Sequence, residues 1–515
     1  MKKCPHGDNV DGVKLNGCPS ATRRMEQMHN QISGHRPYSS IPGPKRLNEV
    51  LYRTDCHKYI SLLHDQYGDI IRLTVDETDF VFVRNPETCK KLLTSEDLFE
   101  KTFADADKNS TNYIQYFKNL VQPLFSSAEI FGSGDNSGRR QALAKCFGSA
   151  DTLLPKFDKI CKNILEEQWP KSASTDMVGK IHLLVFELVA VIMCGDEVDN
   201  LKVEMAELFE AANLCLSHFV KRYTKPMFVE KIQPDDEKYM KIVENAGMKV
   251  TETFVSRAKR NMISNATKET AFLGVMLKAG LTLTEINTTM LNALFAASEA
   301  PIHVLGAVLT ELSKQKTIQD KLYKEIHDKM IVKKKILEDE EEENCDDFFE
   351  DYIIYDKNML DSIIMEGLRL HSPVTLVQRR VKFHKGVVLD GYMVPANTNV
   401  CICIYCLHTN EKYFKNSKQF IPSRTSLDMV IIDTDNGFAP FSGGPRGCPG
   451  RHLAVAFTKI CLMNIIKKYE FSEFDNYNYD DGGNGSNQNT DDGKKIHKFV
   501  EYPANGLLLS FMERR

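Results

Sequence analysis

The chain has 515 residues, a formal net charge of −4 at pH 7 and 42% hydrophobic residues. That balance supplies a sizeable core and gives no basic surface or tail of the kind a nucleic-acid partner requires. The 14 cysteines are scattered and no secretory signal peptide precedes them, so a disulfide framework is not expected and the compartment reads as reducing.

Residues 1–36 set Lys2, Lys3, Lys14, Arg23, Arg24 and Arg36 against Asp8, Asp11 and Glu26. They are expected to form a solvated tail or a targeting segment, with mitochondrial import one option. The run from Arg36 to Pro44 holds three prolines, which force extended backbone and mark where a single globule, 37–515, begins. Helical spacing follows near 47–67, then a first strand over Tyr67 to Leu73 and a hairpin partner at Phe80 to Val83. From 150 to 330 the apolar pattern is largely helical, without internal repeats. No stretch reaches eighteen uninterrupted apolar residues, and Ile181 to Cys194 is too short and carries Glu187, so no membrane-spanning anchor is expected.

Thr282 and Glu285 stand at capping-box spacing before a long apolar segment, Thr284 to Leu312, which predicts a central helix. The acidic run 338–351 reads as a solvated insertion, and 475–494, rich in Asn, Asp and Gly, as a second one. Met359, Leu360, Ile363, Ile364 and Leu368 recur at helical spacing and place Glu366 and Arg369 on one side of a helix, where they can pair. Residues 376–406 hold short alternating runs broken by Gly391 and Pro395, so the fold class is mainly α with small β-sheets. Cys401, Cys403, Cys406 and His408 are close enough to suggest zinc. The alternation of 401–405 puts Cys401 and Cys403 on one face of a buried strand, however, and core packing is favoured.

Phe441 to Gly450 place Cys448 in a tight glycine-rich loop directly before a helix that spans Arg451 to Lys468. Backbone N–H groups around the sulfur and the positive end of the helix both favour a thiolate, the form that ligates a metal. Phe441, Gly444, Arg446, Cys448 and Gly450 match the haem-binding loop Phe-x-x-Gly-x-Arg-x-Cys-x-Gly, and on that string the chain resembles the cytochrome P450 family.

The resemblance implies the P450 fold and haem b with Cys448 as axial thiolate and metal ligand. It also implies that Arg446 pairs with a haem propionate, that Phe441 packs beside the sulfur and that Gly450 lets the helix approach the porphyrin. A thiolate ligand pushes electron density onto iron and favours O–O cleavage. Glu366-Gly367-Leu368-Arg369 matches the family's Glu-x-x-Arg motif, and Phe420 to Arg424 resembles the segment that closes the same buried network through Arg424. These three residues are given a structural role. Arg380, with Arg379 beside it, and Arg140 are expected as further propionate ligands, although Asn136 replaces the aromatic residue the family places before the latter.

Ala296 to Pro301 align with the family's oxygen-activation pattern Ala-Gly-x-Asp/Glu-Thr-Thr. The acid is present as Glu299, but Ala300 stands where the threonine would, and Pro301 follows it. Pro301 cannot donate an N–H to the Ala297 carbonyl, so the helix is expected to open or kink there. Ser298, Glu299 and a substrate hydroxyl would then share the proton relay.

The expected activity is insertion of one oxygen atom from O2 into a hydrophobic, lipid- or sterol-like substrate, with electrons from a reductase or ferredoxin and no nucleic-acid partner. The alternatives are a haem-thiolate isomerase or dehydratase acting on lipid peroxides without a reductase, and a non-catalytic haem-binding protein. Arg139, Arg140, Lys145, Arg451 and Lys459 are expected to offer a cationic surface to an acidic redox partner. An intracellular setting is expected, with mitochondrial, cytosolic and peripheral membrane locations all left open.

Overall fold

The structure, a computed structural model, describes residues 35–44, 56–75, 78–100, 150–169, 172–195, 198–223, 234–263, 272–340, 353, 358–424, 437–473, 495–497, 501–503 and 508–514. The N-terminal part holds α1 (Cys56–Tyr67), β1 (Ile70–Val75), β2 (Thr78–Val83), α2 (Pro86–Thr94) and β3 (Phe99–Glu100). A helical body follows: α3 (Ala150–Glu167), then β4 (Ser172–Asp176), α4 (Val178–Cys194), α5 (Lys202–Tyr223), α6 (Pro234–Ile263), α7 (Phe272–Lys278), α8 (Leu283–Ser313) and α9 (Lys316–Glu340). The last part contains α10 (Met359–Leu370), β5 (Leu376–Val381), β6 (Val387–Leu389), β7 (Tyr392–Val394), β8 (Asn399–Cys403) and α11 (Ile404–His408). It ends with α12 (Arg451–Lys468), β9 (Tyr469–Glu473), β10 (Lys495–His497), β11 (Glu501–Pro503) and β12 (Leu508–Glu513). Of the expected tail at 1–36, residues 1–34 lie outside the described residues, as do the insertion at 475–494 and most of 338–351, whose first three residues end α9.

Local chemistry sets the helix starts. Asn85 accepts from the backbone of Glu87 and Thr88, with Pro86 at the first turn of α2. Thr282 and Glu285 form the expected reciprocal box at α8, and Asn358 with Asp361 forms another at α10. The predicted hairpin is present as antiparallel β1 and β2, with Ile71 opposite Phe82 and Leu73 opposite Phe80. It joins a five-stranded sheet of order β1-β2-β8-β5-β3, in which β2 and β8 run parallel. Arg36 anchors the start of the globule by donating to the Asp390 carbonyl at 2.9 Å while its guanidinium lies 3.8 Å above the Tyr392 ring.

Cys401, Cys403 and Cys406 pack with Ile60, Leu63, Phe80 and Phe82, and no metal-holding cluster occurs among the described residues. The core reading holds, with one difference: Cys403 and Cys406 form a disulfide. The turn from β8 into α11 brings them together, since the Cys403 sulfur caps that helix by accepting from the Cys406 N–H at 3.3 Å.

α8 is the middle of the helical body, packed against α4, α6, α10 and α12. Among the described residues it alone is long and apolar enough to cross a membrane by length and composition, yet 65% of that window is buried inside the protein. Its approach to α10 depends on Gly367, where a Cβ atom would come within 2.4 Å of Val308 Cγ2. Gly367→Ala is therefore expected to cost about 1–3 kcal/mol through overpacking against a stiff β-branched side chain. Urea unfolding measures the loss, and adding Val308→Ala should recover part of it, as coupled neighbours do.

Candidate active site

The loop before α12 is built from backbone bonds. Ser442 donates its N–H to the Ala439 carbonyl at 3.0 Å, Gly447 to Gly444 at 3.0 Å and Cys448 to Phe441 at 2.9 Å. Gly444 has φ +65°, and a Cβ there would sit 2.1 Å from the Leu93 carbonyl oxygen, so only glycine lets the loop lie on the end of α2. Gly450, at φ −93°, begins α12 and accepts from the Ala454 N–H at 2.8 Å. Phe441 is half-buried against the main core. Among the described cysteines outside the disulfide, Cys448 is exposed, whereas Cys89, Cys161, Cys194, Cys215, Cys401 and Cys461 are buried. Burial pushes the Cys401 thiol up to about 12 and the Cys89 thiol higher still, so neither supplies a thiolate.

α8 is packed on α12, and its burial is interrupted in the middle. Ala296 is exposed and Ala297, Glu299 and Ala300 are half-buried, in a helix whose neighbouring turns are closed. Ser298 is not part of that interruption: it is 1% exposed and its hydroxyl donates back to the Leu294 carbonyl at 2.7 Å. The helix is continuous through Pro301 rather than opened, so the disturbance is confined to the Ala297 carbonyl, which Pro301 cannot serve.

Glu366 and Arg369 are both wholly buried and bonded in a fork, with Arg369 Nε 2.8 Å from Glu366 Oε2 and Nη2 2.7 Å from Oε1. The rest of the guanidinium donates to the carbonyls of His408 at 2.8 Å, Ser417 at 2.6 Å and Gln419 at 3.1 Å. Glu366 Oε1 also accepts from the Ile421 N–H at 2.9 Å and from Arg424 Nε at 3.0 Å. The predicted pair and its third member are thus one network, with Arg424 half-buried at its edge.

A glycine-rich loop with an exposed cysteine, a partly open stretch on the long helix packed against α12 and a buried Glu–Arg pair joined by Arg424 are the features on which the comparisons with known proteins bear. Residues 38–481 match the family model described as Cytochrome P450. The chain belongs to the cytochrome P450 family. It is 24% identical over 469 residues to amorpha-4,11-diene 12-monooxygenase of Artemisia annua, covering 86% of this chain and 88% of the relative. It is 23% identical to germacrene A hydroxylase of Tanacetum parthenium, covering 86% and 89%. The solved structure of retinoic acid bound cyanobacterial CYP120A1 superposes with a TM-score of 0.68 at 17% identity, over 90% of this chain and 96% of that one, and shows the same fold.

As a P450 the protein is an oxidoreductase of the monooxygenase class that takes haem with a cysteine thiolate as axial ligand. The residues present fit that cofactor: one exposed thiol, in a loop tied down by its own backbone and seated on α2 through Gly444. Arg446 is half-buried within that loop. Arg380 and Arg379 alternate across β5. Arg380 turns to Glu100 of β3, with Nε 2.7 Å from Oε1, while Arg379 is 3% exposed on the other face. Arg380, expected to hold a propionate, thus pairs with Glu100, and the buried side chain is that of its neighbour Arg379.

Lys459 is a correction. It is 3% exposed and donates to the Ile353 carbonyl at 2.6 Å while pairing with Asp361, so it is no part of a surface for a redox partner. α12 is enclosed on all sides, and a lysine on it points into protein. Arg451 donates to His452 Nε2 at 3.1 Å. Arg139, Arg140 and Lys145 lie outside the described residues.

His408 escaped the sequence reading as anything but a zinc candidate. It is wholly buried against Arg369, and burial lowers its pKa to about 3, while burial lowers that of His64 to about 4. Both are neutral in the native state but take up protons near pH 6.5 once unfolded, so the stability they contribute is intact above pH 6.5 and falls as the pH drops, towards about 4 for His64 and about 3 for His408. Each should add up to about 1.4 kcal/mol per pH unit to the acid side of a urea-unfolding profile. His64→Gln should remove its share of that slope.

Gly444→Ala would force a side chain into the left-handed region and onto the Leu93 carbonyl. The expected result is a loss of about 1–3 kcal/mol from the clash and at least half of the haem per chain, read by thermal unfolding and pigment content.

Proposed function

We propose that this P450 inserts one oxygen atom of O2 into a hydrophobic, lipid-like molecule with electrons from a reductase or ferredoxin partner, and that Cys448 is the ligand to iron. The single observation carrying this reading is the exposed Cys448 thiol in the loop closed by its N–H to the Phe441 carbonyl. Haem bound there supplies a thiolate-ligated iron, whose electron-rich character favours O–O cleavage. Arg446 and the inward Arg379 would balance the charge of its carboxylates, and Arg380 stays with Glu100. The relatives' names point to apolar terpenes as the first molecules to try, beside sterols and fatty acids.

On the distal side Ser298 is engaged with Leu294, so proton handling falls to the Glu299 carboxyl and to the Ala297 carbonyl left over by Pro301. Ala300 supplies no hydroxyl. That absence favours a second reading, rearrangement or dehydration of a lipid peroxide that brings its own O–O bond and needs no electron donor.

Purified protein with a reductase system and apolar terpenes, sterols or fatty acids is expected to yield hydroxylated product. Turnover found only with lipid hydroperoxides, in the absence of reductant, would replace the first reading by the second. Ala300→Thr should raise product formed per electron consumed by about two- to tenfold, the range one added hydrogen bond allows. Cys448→Ala should abolish the thiolate-type band of the reduced carbon monoxide complex.

A further inference from the structure

The Glu366–Arg369 pair and the Cys448 loop are separate in sequence, and one side chain bridges them. His408 closes α11 and is fully buried, with Nδ1 3.1 Å from the Arg369 carbonyl oxygen and Nε2 2.9 Å from the Ala439 backbone nitrogen. An amide N–H can only donate, so Nε2 accepts and the ring proton sits on Nδ1, from which it is donated to Arg369. Arg369 returns the contact, since its Nη1 donates to the His408 carbonyl at 2.8 Å. Ala439 in turn accepts from the Ser442 N–H at 3.0 Å, and two residues after Ala439 the Phe441 carbonyl receives the Cys448 N–H at 2.9 Å. The Phe438 ring lies 5.2 Å from the imidazole and keeps water from it.

We propose that His408 is a positioning residue for the thiolate ligand: it transmits the fixed placement of the buried Glu366–Arg369 pair to the entrance of the Cys448 loop through its bond to the Ala439 N–H. The inference rests on Cys448 being the iron ligand. Without the imidazole, a buried N–H at the start of the loop loses its acceptor, and the loop gains an alternative in which Ala439 turns to find one. Cys448 would then lose its fixed place in the loop, while the rest of the site would persist.

Two amides separate this role from general packing. Glutamine reaches the place of Nε2 and can accept from Ala439, whereas asparagine reaches only the place of Nδ1 and can donate only to the Arg369 carbonyl. Haem-loaded His408→Gln, His408→Asn and His408→Phe proteins are compared with the unaltered chain for total haem, for the thiolate-ligated fraction in the reduced carbon monoxide spectrum, and for thermal midpoint. His408→Gln is expected to keep the thiolate fraction within about twofold of the unaltered chain, and His408→Asn and His408→Phe to lower it by about tenfold, the factor one lost hydrogen bond accounts for. Equal thiolate fractions in all four proteins, with only the thermal midpoints falling, would overturn the proposal and leave His408 a packing residue. If the asparagine and phenylalanine proteins do not accumulate, the glutamine protein decides: a fraction below half of the unaltered value rejects the role. Absence of a thiolate band in the unaltered chain would instead reject Cys448 as the ligand and take the proposal with it.

Discussion

A carboxylate and a guanidinium with no access to water form the constraint on which the rest of this protein is arranged. Removing each ion from water costs several kcal/mol, and the cost is offset only where geometry is good and every remaining donor and lone pair is used. Glu366 and Arg369 meet that condition through carbonyls and N–H groups drawn from 408, 417, 419 and 421, together with Arg424. The backbone from α11 to Arg424 therefore has one arrangement that satisfies the pair. α10 is pinned from the other side, because Gly367 permits contact with α8 at a distance no larger residue tolerates. One helix thus sets both the long helix above the site and the chain that leads towards the cysteine loop.

That division of labour explains why the site combines rigidity and openness. The loop around Cys448 is held by short-range backbone bonds and by its seat on α2, and α12 behind it is enclosed on all sides. In the middle of α8, between the buried runs 289–294 and 301–306, Ala296, Ala297, Glu299 and Ala300 keep some exposure while Ser298 is buried. The chain keeps a protonatable group there but gives up the neighbouring hydroxyl, and it spends Ser298 on its own helix.

The motifs with fixed spacing were legible in the sequence: the cysteine loop, the Glu-x-x-Arg pair, the capping box at Thr282 and the hairpin at Phe80 to Val83 all appear where residue types alone place them. Parity was not. Whether Arg379 or Arg380 turns inward depends on the register of β5 against β3 and β8, which no local pattern specifies. Lys459 was misjudged because a charge usually marks an exposed face, whereas α12 is surrounded and the ammonium finds Asp361 and a carbonyl inside. His408 stood among cysteines and invited a metal reading. Its real partners are a backbone carbonyl and a backbone N–H, groups that every residue carries and that sequence therefore cannot single out. The Cys403–Cys406 bond was missed for a related reason, since overall cysteine scatter says nothing about one tight turn.

The parallel pairing of β2 with β8 has a consequence for biosynthesis. Phe80 to Val83 must align with Asn399 to Ile402, so the apolar flank of the hairpin stays bare while more than three hundred further residues are translated. Such distant closure is slow and leaves a sticky edge in the nascent chain. Until Asn399 to Ile402 have been made, that edge is open to pairing with other chains, so aggregation competes with folding at this strand.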